Sequence, residues 1–211
     1  MKQNLTLVTP LARAAISCGT CFDAEHLARA GIAMAQPFSI GANYQPGGVA
    51  VVGINPGAAK DGGCEEARKR TLERFAADDD TALTDYWAAL ATDAERFWNP
   101  RYLARLRRLG LAVDRIAVGN IALCATANNK YPTWMLRNCW SRHSMPMIEV
   151  LRPGTVVLMG GASVMRYFAL DLTATNRGYQ IIRMAHFAHR KGHAYENAEC
   201  ERVRVLLRQA S

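Results

Sequence analysis

Four short apolar runs punctuate the chain, at residues 49–54, 115–123, 155–159 and 179–185, and each is closed by turn-forming residues. They are apolar almost throughout rather than alternating with polar positions, so each predicts a strand buried on both faces. Apolar residues at helical spacing predict helices over about 65–77, 81–90, 100–109, 133–151 and 162–168, and a last one over about 195–208. Strands alternating with helices predict an α/β fold: three α/β/α layers around a central, mostly parallel four-stranded sheet. Residues 1–211 then form a single domain, in which 1–46 are an N-terminal segment ahead of the first strand. In an open parallel sheet the ligand sits beyond the carboxyl ends of the strands, so the loops after Ile54, Leu123, Met159 and Ala185 are expected to share one rim.

Three of those strand ends carry polar side chains: Asn55 in "GINPG", Asn120 in "GNIALC" and His186 in "IIRMAH". Each has an ordinary structural explanation. Asn-Pro-Gly is a common turn, an Asn at a strand end often satisfies a backbone group, and a lone His is more often structural than catalytic. Their convergence on one expected rim is what makes them a candidate site.

The formal charge of +8 and a pI near 9.4 favour a polyanionic partner. Much of that charge lies in 101–110 and 200–209, which read equally well as solvated faces of amphipathic helices. The stretch "FAHRKGHAY" (187–195), just past His186, gathers Phe187, His189, Arg190, Lys191 and His193 and suits contact with phosphates. No apolar run is long enough to span a bilayer, and the first residues lack the apolar stretch of a secretory signal; a cytoplasmic protein with no membrane partner is expected.

Among the six cysteines, "CGTC" supplies Cys18 and Cys21, and "CATANNKYPTWMLRNC" supplies Cys124 and Cys139. Four thiolates in two groups bind either zinc or an iron–sulfur cluster. Cys64 and Cys200 have no such partner and read as ordinary thiols.

In order and spacing these pieces resemble the uracil-DNA glycosylase superfamily, its iron–sulfur branch in particular. The resemblance runs over roughly residues 18–208, through "CGTC", "GINPG", "GNIALC", "NC", "LRPGTVVLMG" and "IIRMAH". Two motifs depart from that branch. "GINPG" looks like the mismatch-specific uracil/thymine branch, where the iron–sulfur enzymes usually have an acidic residue, and "HFAHRKGH" stands where His-Pro-Ser is usual.

The resemblance implies a monofunctional DNA glycosylase acting on DNA that contains uracil or another damaged base, and a monomer is expected. It implies Asn55 and His186 as catalytic residues and Gly53, Ile54, Pro56, Gly57 and Asn120 as the base-binding set. It further implies His189, Arg190 and Lys191 as DNA contacts, and Cys18, Cys21, Cys124 and Cys139 as ligands of a 4Fe-4S cluster, with zinc the alternative. A lyase activity is not expected, because no Lys can be tied to the reacting sugar. A non-catalytic member that traps damaged DNA, or a zinc-stabilised nucleic-acid-binding domain, would use many of the same residues.

Overall fold

The structure is a computed structural model that describes residues 2–23, 27–28, 30, 32, 34–56, 62–94, 98–174, 177–186 and 192–209. Its centre is a mixed five-stranded sheet, β1 (Ser39–Ile40), β2 (Val49–Gly53), β3 (Ile116–Asn120), β4 (Thr155–Met159) and β5 (Gln180–Met184), in the order β1-β3-β2-β4-β5. The four expected strands are present and mutually parallel. The expected four-stranded sheet is corrected to five by β1, which runs antiparallel to β3 at the edge. Two residues make no apolar run, and β1 exists only because β3 offers it an open edge.

Why the strand sequences read as continuously apolar is plain from the packing. Ala50 and Val52 of β2, Ala117 of β3 and Val156 and Leu158 of β4 enter one core. Val51, Ile116, Val157, Met159, Ile182 and Met184 enter a second core on the opposite face. Side chains alternate between faces, and both faces are covered. The first face is covered by α1 (Lys2–Ile16), α3 (Gly62–Ala76), α4 (Thr81–Thr92), α6 (Thr133–Cys139), α7 (Met145–Leu151) and α8 (Ala162–Ala174). The second is covered by α5 (Pro100–Arg108) and α9 (His193–Gln209), through Leu106, Val203 and Leu207. A short α2 (Thr20–Asp23) carries Cys21. Among the described residues no helix is long and apolar enough to cross a membrane.

Local chemistry sets the element ends. Asn99 caps α5, its side chain accepting from the Arg101 and Tyr102 N–H groups, and Pro100 fills the first helical position, where no N–H is needed. The single helix expected over 133–151 is interrupted: Trp140–Ser144 forms a π-helical turn between α6 and α7, and the Met145 N–H reaches back to the Trp140 carbonyl. Pro146 follows immediately and has no N–H to continue the α ladder, which favours the wider turn. No element was expected before residue 49. The helix α1 forms there despite Pro10 because Val8, Ala12, Ala15 and Ile16 bury against the first core. Arg13 pins it further, pairing with Asp78 and Asp80 and lying over the Phe75 ring.

Candidate active site at the carboxyl rim

The parallel register places Gly53, Asn120, Met159 and Met184 level with one another at the carboxyl ends of β2, β3, β4 and β5. The loops that follow therefore share one rim, as expected from the sequence. Read across that rim, the residues are Asn120 at the end of β3, then Gly53 at the end of β2 with Ile54 and Asn55 beyond it. Gly160 and Gly161 follow beyond β4, and Ala185 and His186 beyond β5. Adjacent strands lie about 4.8 Å apart, so His186 leaves the sheet roughly 10 Å to one side of β2. The strand between them ends in two glycines. A β-carbon on Gly161 would meet nothing within 4 Å, whereas one on Gly160 would strike Met165 and Ile54. The middle of the rim is thus open at Gly161, while Ile54 and Met165 close over Gly160, and polar groups lie to either side.

Pairing between β2 and β3 continues past the strands, with Ile121 N–H donating to the Gly53 carbonyl and Ala122 N–H to that of Ile54. Asn55 follows directly, half-buried, and its Nδ2 donates to Asn129 Oδ1 at 3.4 Å. This contact turns the amide nitrogen toward Asn129 and leaves the oxygen as the acceptor available to a ligand or water. Asn129 sits at φ 53°, a left-handed conformation that Asn tolerates better than most residues. Pro56 is described and half-buried, while Gly57 lies outside the described residues.

Asn120 stands against Gly53: a β-carbon added there would be 2.6 Å from Asn120 Oδ1. Its backbone is held from below. Ser144, wholly buried in the π-helical turn, has its hydroxyl 2.7 Å from the Asn120 carbonyl and 3.1 Å from that of Ile121. A Gly at residue 53 is therefore a steric requirement of Asn120 rather than of a turn.

The backbone before His186 is clamped from two helices. Ala185 N–H donates to Glu199 Oε1 of α9 at 3.1 Å, and the Ala185 carbonyl accepts from Arg105 Nη1 of α5 at 3.1 Å. Arg202 braces the same strand, donating to the Arg183 carbonyl and to Glu199. The Arg202 hydrogen bonds, opposed by burial and aided by the Ala185 N–H, hold the Glu199 carboxyl below the usual glutamate range. His186 itself is half-buried. Phe187, His189, Arg190 and Lys191 lie outside the described residues, and His193 opens α9 as an exposed residue.

The cysteines gather behind this rim, on the side of β3. Cys21, Cys124 and Cys139 are buried and Cys18 is partly exposed; all four are free thiols. The Leu123 N–H donates to Cys139 Sγ at 3.2 Å, and Asn138 Nδ2 donates to Cys21 Sγ at 3.3 Å. Burial pushes the Cys139 thiol up to about 12; the Leu123 N–H opposes this, and the nearby sulfurs of Cys124, Cys21 and Cys18 add to it. The four sulfurs are thus electrostatic neighbours. The N-terminal segment is stitched to the Cys124 loop by main-chain bonds from Ala30 to Ala125, Gln36 to Leu123 and Ala127 to Ala28. Thr20, inside the CxxC, accepts from Arg142 of the π-helical turn at 3.0 Å. Among the described residues no group of three or more His, Cys, Asp or Glu side chains is assembled tightly enough to hold a metal ion. Cys200 lies elsewhere, in the second core, and the Cys64 side chain is outside the described residues.

At the other end of the sheet, a cavity of about 420 Å³ opens between Gly47, Arg152, Arg177 and Tyr179. It adjoins the amino ends of β2, β4 and β5, away from Asn55, Asn120 and His186, and strand geometry favours the carboxyl rim for chemistry. Five residues that shape the candidate site are not singled out from the sequence. Gly160–Gly161 carries a turn signal directly after a strand, whereas Arg105, Asn129 and Ser144 carry none, since nothing local distinguishes them from solvated helix or loop residues. The chain matches no protein-family model and no curated protein sequence.

Proposed function

We propose that the chain is a monofunctional DNA glycosylase hydrolysing the N-glycosidic bond of uracil or a related deaminated base in DNA. The observation that carries this reading is the level register of Gly53, Asn120 and Met184. It brings Asn55, Asn120 and His186 to the carboxyl ends of β2, β3 and β5, on either side of the Gly160–Gly161 turn that follows β4. The resemblance of the motif order to the uracil-DNA glycosylase superfamily supports it, as does the positive charge of the chain.

Breaking the bond between C1′ of deoxyribose and N1 of the base sends the electron pair to the base and develops oxocarbenium character on the sugar. Water then adds its oxygen to C1′ and loses a proton that the departed base anion takes up, yielding an abasic sugar and the free base. Asn55, with its nitrogen turned to Asn129, offers Oδ1 to that water and orients it; an amide is too weak a base to deprotonate it. Asn120 pairs with the N3–H donor and O4 acceptor of uracil through its own acceptor and donor. Cytosine presents the reverse pattern and would leave both pairs of groups unsatisfied. His186 donates to the base O2 as negative charge grows there, which a neutral imidazole can do. Phosphate contacts from His189, Arg190 and Lys191 would hold the duplex in register without reading its sequence.

Cys18, Cys21, Cys124 and Cys139 would hold a 4Fe-4S cluster. The donor chemistry fits: soft thiols on two chain segments joined by main-chain hydrogen bonds, two of them accepting N–H groups of the kind that tune cluster sulfurs, and ligation would draw the four sulfurs closer than they now stand. Such a cluster supplies a covalent tie between the N-terminal segment and the sheet; zinc on the same thiols would serve similarly. A reducing, cytoplasmic setting suits this set of free thiols.

Oligonucleotides carrying uracil, hypoxanthine, xanthine or mispaired thymine, incubated with the protein and then treated with alkali, test the reading. Strand scission at uracil or at another deaminated base supports it. Tight binding without scission at any of the four bases contradicts it and identifies a non-catalytic damaged-DNA binder.

A further inference from the structure

Arg105 is fully buried in α5, whose other buried residues are Leu103 and Leu106. Burying a guanidinium is costly unless its donors are matched, and an aliphatic side chain would fill the position at no such cost. The matching here is partial. Nη1 donates to the Ala185 carbonyl at 3.1 Å. Nη2 stands 2.9 Å from Glu196 Oε1 as an ion pair without hydrogen-bond alignment, and Nε has no hydrogen-bond partner among the described residues. A buried cation that satisfies its own donors so incompletely is poorly explained as a stabilising core residue. Its best-made contact is to the peptide that immediately precedes His186.

The other end of that residue is held as well, because Ala185 N–H donates to Glu199. Its two polar main-chain groups are therefore taken by side chains of two different helices, one hydrogen bond past the last sheet contact, Gly160 N–H to the Met184 carbonyl. A strand end ordinarily frays into solvent beyond its final ladder bond. This one is fixed for one residue more, and that residue is the one before the candidate catalytic imidazole.

Resting on the reading of His186 proposed above, we infer that Arg105 is a positioning residue for the glycosylase reaction. From α5 it grips the Ala185 carbonyl, with Glu199 gripping the N–H, and so fixes where His186 leaves the sheet. Placement of a charge-stabilising donor to within a fraction of an ångström is what such a clamp supplies, and its loss is felt in turnover before binding.

The test uses the full chain and two independent readouts on Arg105→Met, Arg105→Lys, His186→Ala and the double variant R105M/H186A. In imidazole ¹H–¹⁵N spectra, His186 is identified as the signal missing from His186→Ala. Arg105→Met is expected to move or broaden that signal, with Arg105→Lys intermediate and the His143 signal unchanged. An unmoved His186 signal in Arg105→Met overturns the inference whether or not the protein cleaves DNA. Should Arg105→Met fail to fold, Glu199→Ala releases the same peptide from its other side and must move the signal. In single-turnover excision of uracil, Arg105→Met is expected to lose tenfold or more with DNA affinity kept within twofold. The loss should shrink below twofold in the His186→Ala background, since the two substitutions act through one group. Equal losses in both backgrounds overturn the inference. No cleavage by the parent chain overturns the proposed function instead, and the spectra then decide the clamp alone.

Discussion

The amide oxygen of Asn120 lies against the α-carbon of Gly53, so close that a β-carbon there would stand 2.6 Å from it. The two residues are register partners at the ends of β2 and β3, and the amide projects over the space that a side chain at residue 53 would claim. Gly53→Ala should therefore displace Asn120 while leaving the sheet intact. Excision of uracil should fall about tenfold or more, with DNA binding largely kept, because phosphate contacts supply most of the affinity. Single-turnover rates set beside gel-shift affinities check this; an unchanged rate would show that the Asn120 amide does not read the base.

Ser144 holds the same strand end from beneath. Removing its hydroxyl in Ser144→Ala leaves the buried carbonyls of Asn120 and Ile121 without this donor. A buried polar group left unsatisfied costs about 1–3 kcal/mol. Urea denaturation should show a loss in that range, and discrimination between uracil and cytosine should weaken, because the backbone carrying the reading amide is no longer pinned.

The Glu199 carboxyl has a folded-state pKa below its unfolded value, chiefly through Arg202. A depressed carboxylate contributes stability in full above the unfolded glutamate pKa, about 4.3, and loses it as pH falls through the lower folded value. Acid should therefore release the Ala185 N–H along with the ion pair. Glu199→Gln should lower the melting temperature near pH 7 and converge with the parent at the acid end. Parallel melting curves at all pH values would contradict the assignment.

Much of this architecture is legible in the sequence, because short apolar runs bounded by Asn-Pro-Gly, Arg-Pro-Gly and Gly-Gly leave few alternatives to buried parallel strands. That Asn55, Asn120 and His186 share one rim follows from those runs, whereas the strand order that sets Asn55 between Asn120 and His186 does not. What escapes is set by distant partners. β1 needs the exposed edge of β3, and α1 overrides Pro10 by packing on the core. The π-helical turn after Cys139 reflects Pro146 together with the seating of Ser144 under Asn120. Arg105 has the local pattern of a solvated arginine in "RYLARLRR", and only the approach of β5 makes it a buried one.

The cysteine set carries its own prediction. Anaerobically prepared protein should be brown and contain iron and sulfide, absorbing broadly near roughly 400 nm as iron–thiolate sites do. Serine at Cys18, Cys21, Cys124 or Cys139 should bleach the colour and loosen the N-terminal segment, seen as earlier proteolysis ahead of β1. Cys200→Ser, in the separate second core, should do neither. Stoichiometric zinc without iron, under conditions that preserve clusters, would assign the site to zinc.

The central claim is that Asn55 orients the attacking water at a rim that otherwise binds DNA intact. It is tested most directly by single-turnover excision from a uracil-containing duplex, comparing the parent with Asn55→Ala at saturating protein. Losing the one amide aimed at the water should slow excision by about 100-fold or more, while the dissociation constant for the same duplex changes by less than about threefold. Excision by Asn55→Ala at the parental rate would contradict the account, because the residue that the β2–β3 pairing delivers to the rim would then take no part in the chemistry.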